Sequence, residues 1–213
     1  MKPDLRAYWE KCSRGDSDSY VVEQHEGSIR IVRKSLTDKP KPEFSTRNIK
    51  YVWINQGEFG GKLFVIWPNK HKKVLLRKNI SSIIQVGEFL YVFTGLRHNF
   101  DRGAVYRISN FEKEPEVSKL TLLPGDPLAL QDSRGKGADF IIITNESLLS
   151  LTISNEYLNI IAHHPLWENL LPNSAVQAGN KVLVGMCPGV AVVEFYKSYY
   201  LKSIKMYVPG KTE

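Results

Sequence analysis

The sequence of 213 residues predicts an all-β protein built from repeated four-stranded antiparallel units. From Tyr20 onward the pattern is that of strands, and residues 28–33 alternate with period two, as expected for a half-buried strand. Segments with the order strand, glycine-containing turn, strand recur with a period of roughly 40–50 residues. The ten Tyr, nine Phe and four Trp also favour strands. We therefore expect one domain over residues 1–213, with an extension at 1–17 and repeated β units at 18–209.

The N-terminal third is the least regular part of the pattern. Residues 3–12 predict one short helix, because Leu5, Trp9 and Cys12 fall near one stripe. Residues 18–34 predict the remnant of one repeat. Residues 37–47 contain two prolines and mixed charges, and they predict an exposed connection.

The remaining chain predicts four complete units. Within each unit, inner strands are apolar on both faces, and outer strands alternate with charged residues because one face meets water. Their strand-forming segments are 49–54, 61–67 and 73–76 for the first copy; 83–93, 103–109 and 117–122 for the second; 127–130, 139–143, 147–153 and 157–162 for the third; and 175–185, 189–195 and 201–208 for the fourth.

This repeat pattern resembles that of the β-propeller superfamily, in its divergent form without Trp-Asp or kelch signatures. The resemblance implies an all-β, propeller-like array of about five blades. It also implies closure by pairing of residues 20–24 with the last blade. A β-sandwich and a two-domain β protein remain open alternatives.

The net charge and the cysteine content limit the kinds of partner and the cellular compartment that we expect. The net charge is +7 and the pI is about 9.3, which favours an acidic partner such as nucleic acid, anionic lipid or an acidic protein face. Cys12 and Cys187 are far apart and form no metal-binding pattern; a disulfide is possible, but two plain thiols indicate a reducing compartment. With no secretory signal or membrane-length apolar run, we expect a cytoplasmic monomer without cofactor or metal.

A loop between two strands of one blade is the first candidate binding site for a protein or ligand. It contains His98, Phe100, Asp101 and Arg102, and Phe100 is expected to be exposed there. Trp67, which flanks a basic hairpin, is added to the candidate binding residues. A plain polar hairpin loop is the alternative interpretation. The His163–His164 pair is interpreted as a surface pair, because adjacent strand residues point to opposite faces.

Positive charge is concentrated in two stretches, which are the candidate nucleic-acid interface. One comprises Arg30, Arg33, Lys34, Lys39 and Lys41. The other lies near Trp67 and comprises Lys70, Lys72, Lys73, Arg77 and Lys78. Cationic tips beside aromatic residues can follow a phosphate backbone. A solvated hairpin with lysines that block edge pairing is the alternative.

No catalytic motif is found in the sequence: it has no nucleophile elbow, phosphate-binding loop, zinc-protease helix motif or calcium loop. We therefore predict a non-catalytic protein-binding module. In size and in its lack of catalytic chemistry the chain resembles stand-alone bacterial toxin-immunity proteins, which implies inhibition of a toxin through a tight complex. Nucleic-acid binding through the basic hairpins is one alternative, and a hydrolase or sugar-binding propeller using the loop at His98–Asp101 is another.

Overall fold

The computed structural model describes residues 12, 18–34, 42–96, 102–131, 139–163, 167, 170, 172–196 and 200–208. These residues form eighteen strands and one turn of 3-10 helix at Gly57–Phe59. The strands are β1 (Ser19–His25), β2 (Ser28–Lys34), β3 (Glu43–Ser45), β4 (Lys50–Asn55), β5 (Gly61–Ile66), β6 (Lys72–Leu76), β7 (Ile80–Val86), β8 (Phe89–Leu96), β9 (Arg102–Ser109), β10 (Glu116–Leu123), β11 (Leu128–Gln131), β12 (Phe140–Ile143), β13 (Ser147–Thr152), β14 (Tyr157–His163), β15 (Ser174–Ala178), β16 (Lys181–Gly185), β17 (Val190–Phe195) and β18 (Leu201–Tyr207).

The strands form five antiparallel sheets in the described part of the chain. Four sheets have four strands each, in the chain order β3–β6, β7–β10, β11–β14 and β15–β18, and one sheet has only β1 and β2. The predicted fold class, an all-β and propeller-like array of four-stranded antiparallel units, is confirmed. The predicted remnant at residues 18–34 is the two-stranded sheet.

The chain divides into two compact units, and they are described separately. One unit is Pro40–Ala129 and the other combines Met1–Lys39 with Leu130–Glu213. The unit Pro40–Ala129 contains sheets β3–β6 and β7–β10 around one apolar core. Its largest buried side chains include Tyr51, Leu63 and Leu90.

The first strand of this unit was not predicted. Residues 37–47 were expected to be an exposed connection, but Glu43–Ser45 forms β3 and pairs with β4. Lys50 Nζ lies 2.6 Å from a carboxylate oxygen of Glu43 across this pair. A three-residue strand with a charged end and neighbouring prolines has too little periodicity to stand out in the sequence.

Polar side chains join the two sheets of this unit. The buried hydroxyl of Tyr51, on β4, donates to the carbonyl oxygen of Phe111 in the turn after β9. The Asn55 amide donates to the Ile80 carbonyl at 2.7 Å, and its oxygen accepts from the Ile80 N–H at 2.8 Å. These bonds fix β4 to the beginning of β7 and to the β9–β10 turn.

In the other unit, burial follows the predicted difference between inner and outer strands. All four residues of β12 are fully buried, so both of its faces are covered. On the edge strand β18, Lys202 and Lys205 are exposed, but two adjacent partly buried residues lie between them, so the predicted alternation is interrupted. The pairing of β18 with β17 shifts register between Glu194 and Phe195. The sequence pattern therefore predicted which strand is central and which is at the edge.

The N-terminal sheet packs beside the last sheet of this unit. Val22 of β1 is buried with Val176 and Val190, and Tyr20 N donates to the Met186 carbonyl at 3.1 Å. The predicted closure, in which residues 20–24 become a strand of the last blade, is wrong. β1 pairs along its length with β2, so these residues form a separate sheet that packs against β15 and β16.

The two cysteines form a disulfide rather than two plain thiols. Cys12 and Cys187 are bonded across a sequence separation of 175 residues, with their Cα atoms 5.9 Å apart. Sequence distance hid this contact, because the fold brings the segment before β1 to the end of β16. Cys12 has helical backbone conformation, and the rest of the helix predicted at 3–12 lies outside the described residues.

Candidate functional site

An open cleft in the unit Pro40–Ala129 is the candidate binding site. It has a volume of about 610 Å³ and we call it the Trp67 cleft. Two turns form its walls: the β5–β6 hairpin and the β9–β10 turn. The residues that line it are Trp67, Asn69, His71, Lys73, Lys113, Glu114, Pro115 and Glu116.

The Trp67 indole connects the two walls. Its Nε1 donates to the carbonyl oxygen of Lys113 at 2.9 Å, and its ring centroid lies 5.2 Å from that of His71. The hairpin is closed by a hydrogen bond of 3.0 Å from Trp67 N to the His71 carbonyl. Asn69 Oδ1 accepts from the His71 N–H at 3.0 Å. The aromatic surface is therefore held in place by backbone and side-chain bonds on both sides.

Charges of both signs surround this aromatic surface. Lys73 and Lys113 contribute positive charge, Glu114 and Glu116 contribute negative charge, and all four are exposed. A rigid aromatic residue with nearby groups of both signs can bind an apolar side chain and orient charged groups around it. The eight lining residues contain no hydroxyl or thiol side chain.

The structure separates the second predicted basic stretch into two groups. Lys70 lies in the hairpin turn with φ of 64°, and Lys73 lines the cleft. Lys72 Nζ lies 3.7 Å above the Phe64 ring, which holds this lysine against its own sheet. Arg77 and Lys78 follow the other end of β6. At about 3.3 Å per residue, the two groups are separated by the length of that strand.

The loop expected to bind a ligand falls mostly outside the described residues. His98, Phe100 and Asp101 lie outside them, and Arg102 is the exposed first residue of β9. His163 ends β14 and is exposed, with Nδ1 3.2 Å from the Glu146 carbonyl oxygen. His164 also lies outside the described residues, as do Lys39 and Lys41 of the first basic stretch.

Half of the Trp67 cleft was missed in the sequence. The β9–β10 turn contributes Lys113, Glu114, Pro115 and Glu116. The signal that could have found it is the charged run Glu112-Lys113-Glu114 followed directly by a proline, between two clear strands. Nothing in the sequence, however, shows that this turn meets the hairpin at Trp67, more than forty residues earlier.

Two titratable groups elsewhere in the described residues have clearly shifted pKa values. Burial, reinforced by the negative charge of Glu112, raises the pKa of Tyr51 well above its ordinary range. A hydrogen bond from Lys202 lowers the pKa of the half-buried Glu194. Among the described residues, no group of three or more His, Cys, Asp or Glu side chains is arranged to hold a metal ion. No helix in that same part of the chain is long and apolar enough to cross a membrane.

The class that the fold and cleft define is an all-β, propeller-like protein with an open site at a turn between sheets. No protein-family model matches the sequence, and no curated protein matches it. A chain from a crystal structure of a nidogen–laminin complex is similar in fold, with a TM-score of 0.49 and 11% identity over 76% of this chain and 60% of that one. The crystal structure of the GH43 protein BlXynB from Bacillus licheniformis gives a TM-score of 0.44 and 12% identity over 79% of this chain and 41% of that one. This chain therefore spans less than two thirds of either.

Proposed function

We propose that the protein is a non-catalytic binding module that recognises a peptide segment of another protein in the Trp67 cleft. The observation that carries the proposal is the Trp67 indole, which is held by Lys113 and surrounded by charges of both signs. Tryptophan anchors of this kind contribute much of the binding energy in protein interfaces. The four charged side chains would then select the residues flanking an apolar anchor in the peptide.

The same charges favour a peptide over a nucleic acid. Glu114 and Glu116 stand beside Lys73 and Lys113, and carboxylates in the cleft would repel a phosphate backbone. The basic residues at the far end of β6 do not extend a cationic path from the cleft. Nucleic-acid binding is therefore the alternative outcome of the experiment below.

The disulfide supports action in an oxidising compartment. A bond between Cys12 and Cys187 persists outside the reducing cytoplasm, so we propose a non-reducing location in place of the cytoplasmic one. The proposal that the bound protein is a toxin comes from the sequence resemblance alone and stays a prediction.

Selection from a random peptide library displayed on phage tests the function. The oxidised protein should enrich peptides with one apolar anchor flanked by charged residues. Exchanging two wall charges, in Lys73→Glu with Glu116→Lys, should change which charged residues are enriched. Lys62→Glu, an exposed change on β5 outside the cleft lining, should leave the selected peptides unchanged.

Two results would count against the proposal. One is an unchanged set of peptides after the exchange of wall charges. The other is binding of a mixed-sequence oligonucleotide that weakens steeply with salt and is lost in Lys70→Glu, Lys72→Glu, Lys73→Glu. That second result would establish the nucleic-acid interface instead.

A further inference from the structure

In the part of the chain that the structure describes, the N-terminal sheet has two strands, whereas each of the other four sheets has four. Among the described residues, β2 has only β1 beside it, whereas the second strand of every other sheet has a neighbour on both sides. The surroundings of two glycines show which strand positions of a four-stranded sheet β1 and β2 occupy. A Cβ at Gly95, in the second strand β8, would meet Asp126 just before β11, and a Cβ at Gly185, in the second strand β16, would meet Tyr20 of β1. β1 therefore occupies the place of a first strand, and the third and fourth positions lie beyond β2.

The face that β1 buries continues onto β2 but is covered only in part, because Ile29 packs against the Val22 cluster and Ile31 does not. Val22 is opposite Ile31 in the register, so both side chains point to the same face. Val22 is 3% exposed, but Ile31 is 54% exposed. A strand added next to β2 would place a side chain beside Ile31 and shield it.

The pairing of β1 with β2 shows what such a strand must offer. Glu23 is opposite Arg30, and Asp18 Oδ1 lies 2.6 Å from a guanidinium nitrogen of Arg33. Glu23 of β1 thus faces Arg30, and Val22 faces Ile31. Asp18, the residue just before β1, pairs with Arg33. Each guanidinium has five N–H donors, so it can also donate to a second carboxylate on the open side.

We propose that the free edge of β2 binds an extended acidic segment of a partner protein by strand addition. The segment carries an apolar residue opposite Ile31 and acidic residues opposite Arg30 and Arg33, as β1 does in part. Backbone hydrogen bonds supply affinity in this mode, and alternate side chains supply specificity. A second copy of β2 is a poor occupant, because antiparallel self-pairing would bring Arg30 and Arg33 of two strands together. This surface is separate from the Trp67 cleft and does not depend on it.

A short blocked peptide tests the proposal on the full-length oxidised protein. The probe is threonine-glutamate-threonine-valine-glutamate-threonine, which in antiparallel register faces Arg33 and Arg30 with glutamate and Ile31 with valine. We expect amide shifts in NMR spectra centred on residues 28–33. In the Arg30→Glu, Arg33→Glu variant the dissociation constant should rise at least about tenfold, since two charge contacts are lost and reversed. Ile31→Asp should weaken binding and leaves the ion pair between Arg33 and Asp18 intact.

The matched control is Lys202→Glu with Lys205→Glu, an equal charge change on the edge strand β18. It should leave the dissociation constant within about twofold of the wild-type value. The proposal is overturned if the peptide with lysine in place of glutamate binds equally well, or if the amide shifts fall on β18. It is also overturned if the β2 amides exchange slowly before peptide is added, because the edge would then already be paired. A dimer in solution that is broken by Ile31→Asp would show that a second copy is the occupant.

Discussion

Tyr51 donates its buried hydroxyl to the carbonyl oxygen of Phe111 with an oxygen–oxygen distance of 2.6 Å. This bond joins β4 to the turn that leads into one wall of the Trp67 cleft. In Tyr51→Phe, the Phe111 carbonyl is left buried without this donor. We expect the free energy of unfolding to fall by about 1–3 kcal/mol, measured by urea denaturation. Tyr157→Phe, at an exposed tyrosine, is the control and should change it by less than about 0.5 kcal/mol.

The raised pKa of Tyr51 also predicts how stability depends on pH. Because the folded state holds the phenolic proton more tightly than the unfolded state, the stabilisation is fully present below the ordinary tyrosine pKa of about 10. It is lost as pH rises above that value. Denaturation curves of the wild type should therefore lose stability above about pH 10 more steeply than those of Tyr51→Phe. Equal slopes would show that Tyr51 ionises as it does in the unfolded chain.

The ion pair between Glu194 and Lys202 predicts a pKa shift in the opposite direction. Lys202 Nζ lies 3.0 Å from a carboxylate oxygen of Glu194 and lowers the pKa of that carboxyl. In Lys202→Met, the Glu194 pKa measured by NMR titration should rise toward its ordinary value. The pKa of Glu194 is lower in the folded state than in the unfolded state, so the pair stabilises the fold at pH values above the unfolded-state pKa. This stabilisation is lost as the pH falls through the folded-state pKa. Lys205→Met is the neighbouring control, and a Glu194 pKa that moves equally there would contradict the pairing.

Gly185 predicts a local defect. A Cβ at this position would overlap Ser174 Oγ and the carbonyl oxygen of Tyr20. Gly185→Ala should therefore loosen the N-terminal sheet from β15 and β16, and trypsin should cut faster after Arg30 and Arg33. Gly95→Ala is the matched control, because its Cβ would meet Asp126 and Pro127 instead. If both variants are cut equally fast at the two arginines, the defect is not local to β1.

The disulfide predicts a loss of stability on reduction. In the chain-entropy model, a bond that closes a loop this long stabilises the fold by up to about 5 kcal/mol. A reducing agent should lower the Tm of the wild type to that of the Cys12→Ser, Cys187→Ser variant. The variant itself should be insensitive to the reducing agent. A wild-type Tm that is the same with and without the agent, while mass spectrometry confirms reduction, would contradict this expectation.

Burial along single strands was predictable where the local pattern is clear. β12 is apolar throughout and fully buried, as predicted, whereas the alternation predicted for β18 is interrupted between Lys202 and Lys205. Contacts between distant segments were not predictable in this way. The Cys12–Cys187 bond, the packing of β1 beside β16 and the approach of Lys113 to Trp67 depend on how the sheets are arranged. The periodicity of a single strand carries no information about such contacts between distant segments. β3 was missed for a different reason, since three residues cannot display a period.

The bond between Cys12 and Cys187 turns most of the polypeptide into a covalent macrocycle. The ring includes every residue between two positions that are 175 apart in the sequence. A protease that cuts any single turn within it therefore opens the ring and releases no fragment. The nicked protein keeps its full mass until the disulfide is reduced. In the non-reducing compartment proposed above, one cleavage in an exposed loop is then not enough to separate the sheets.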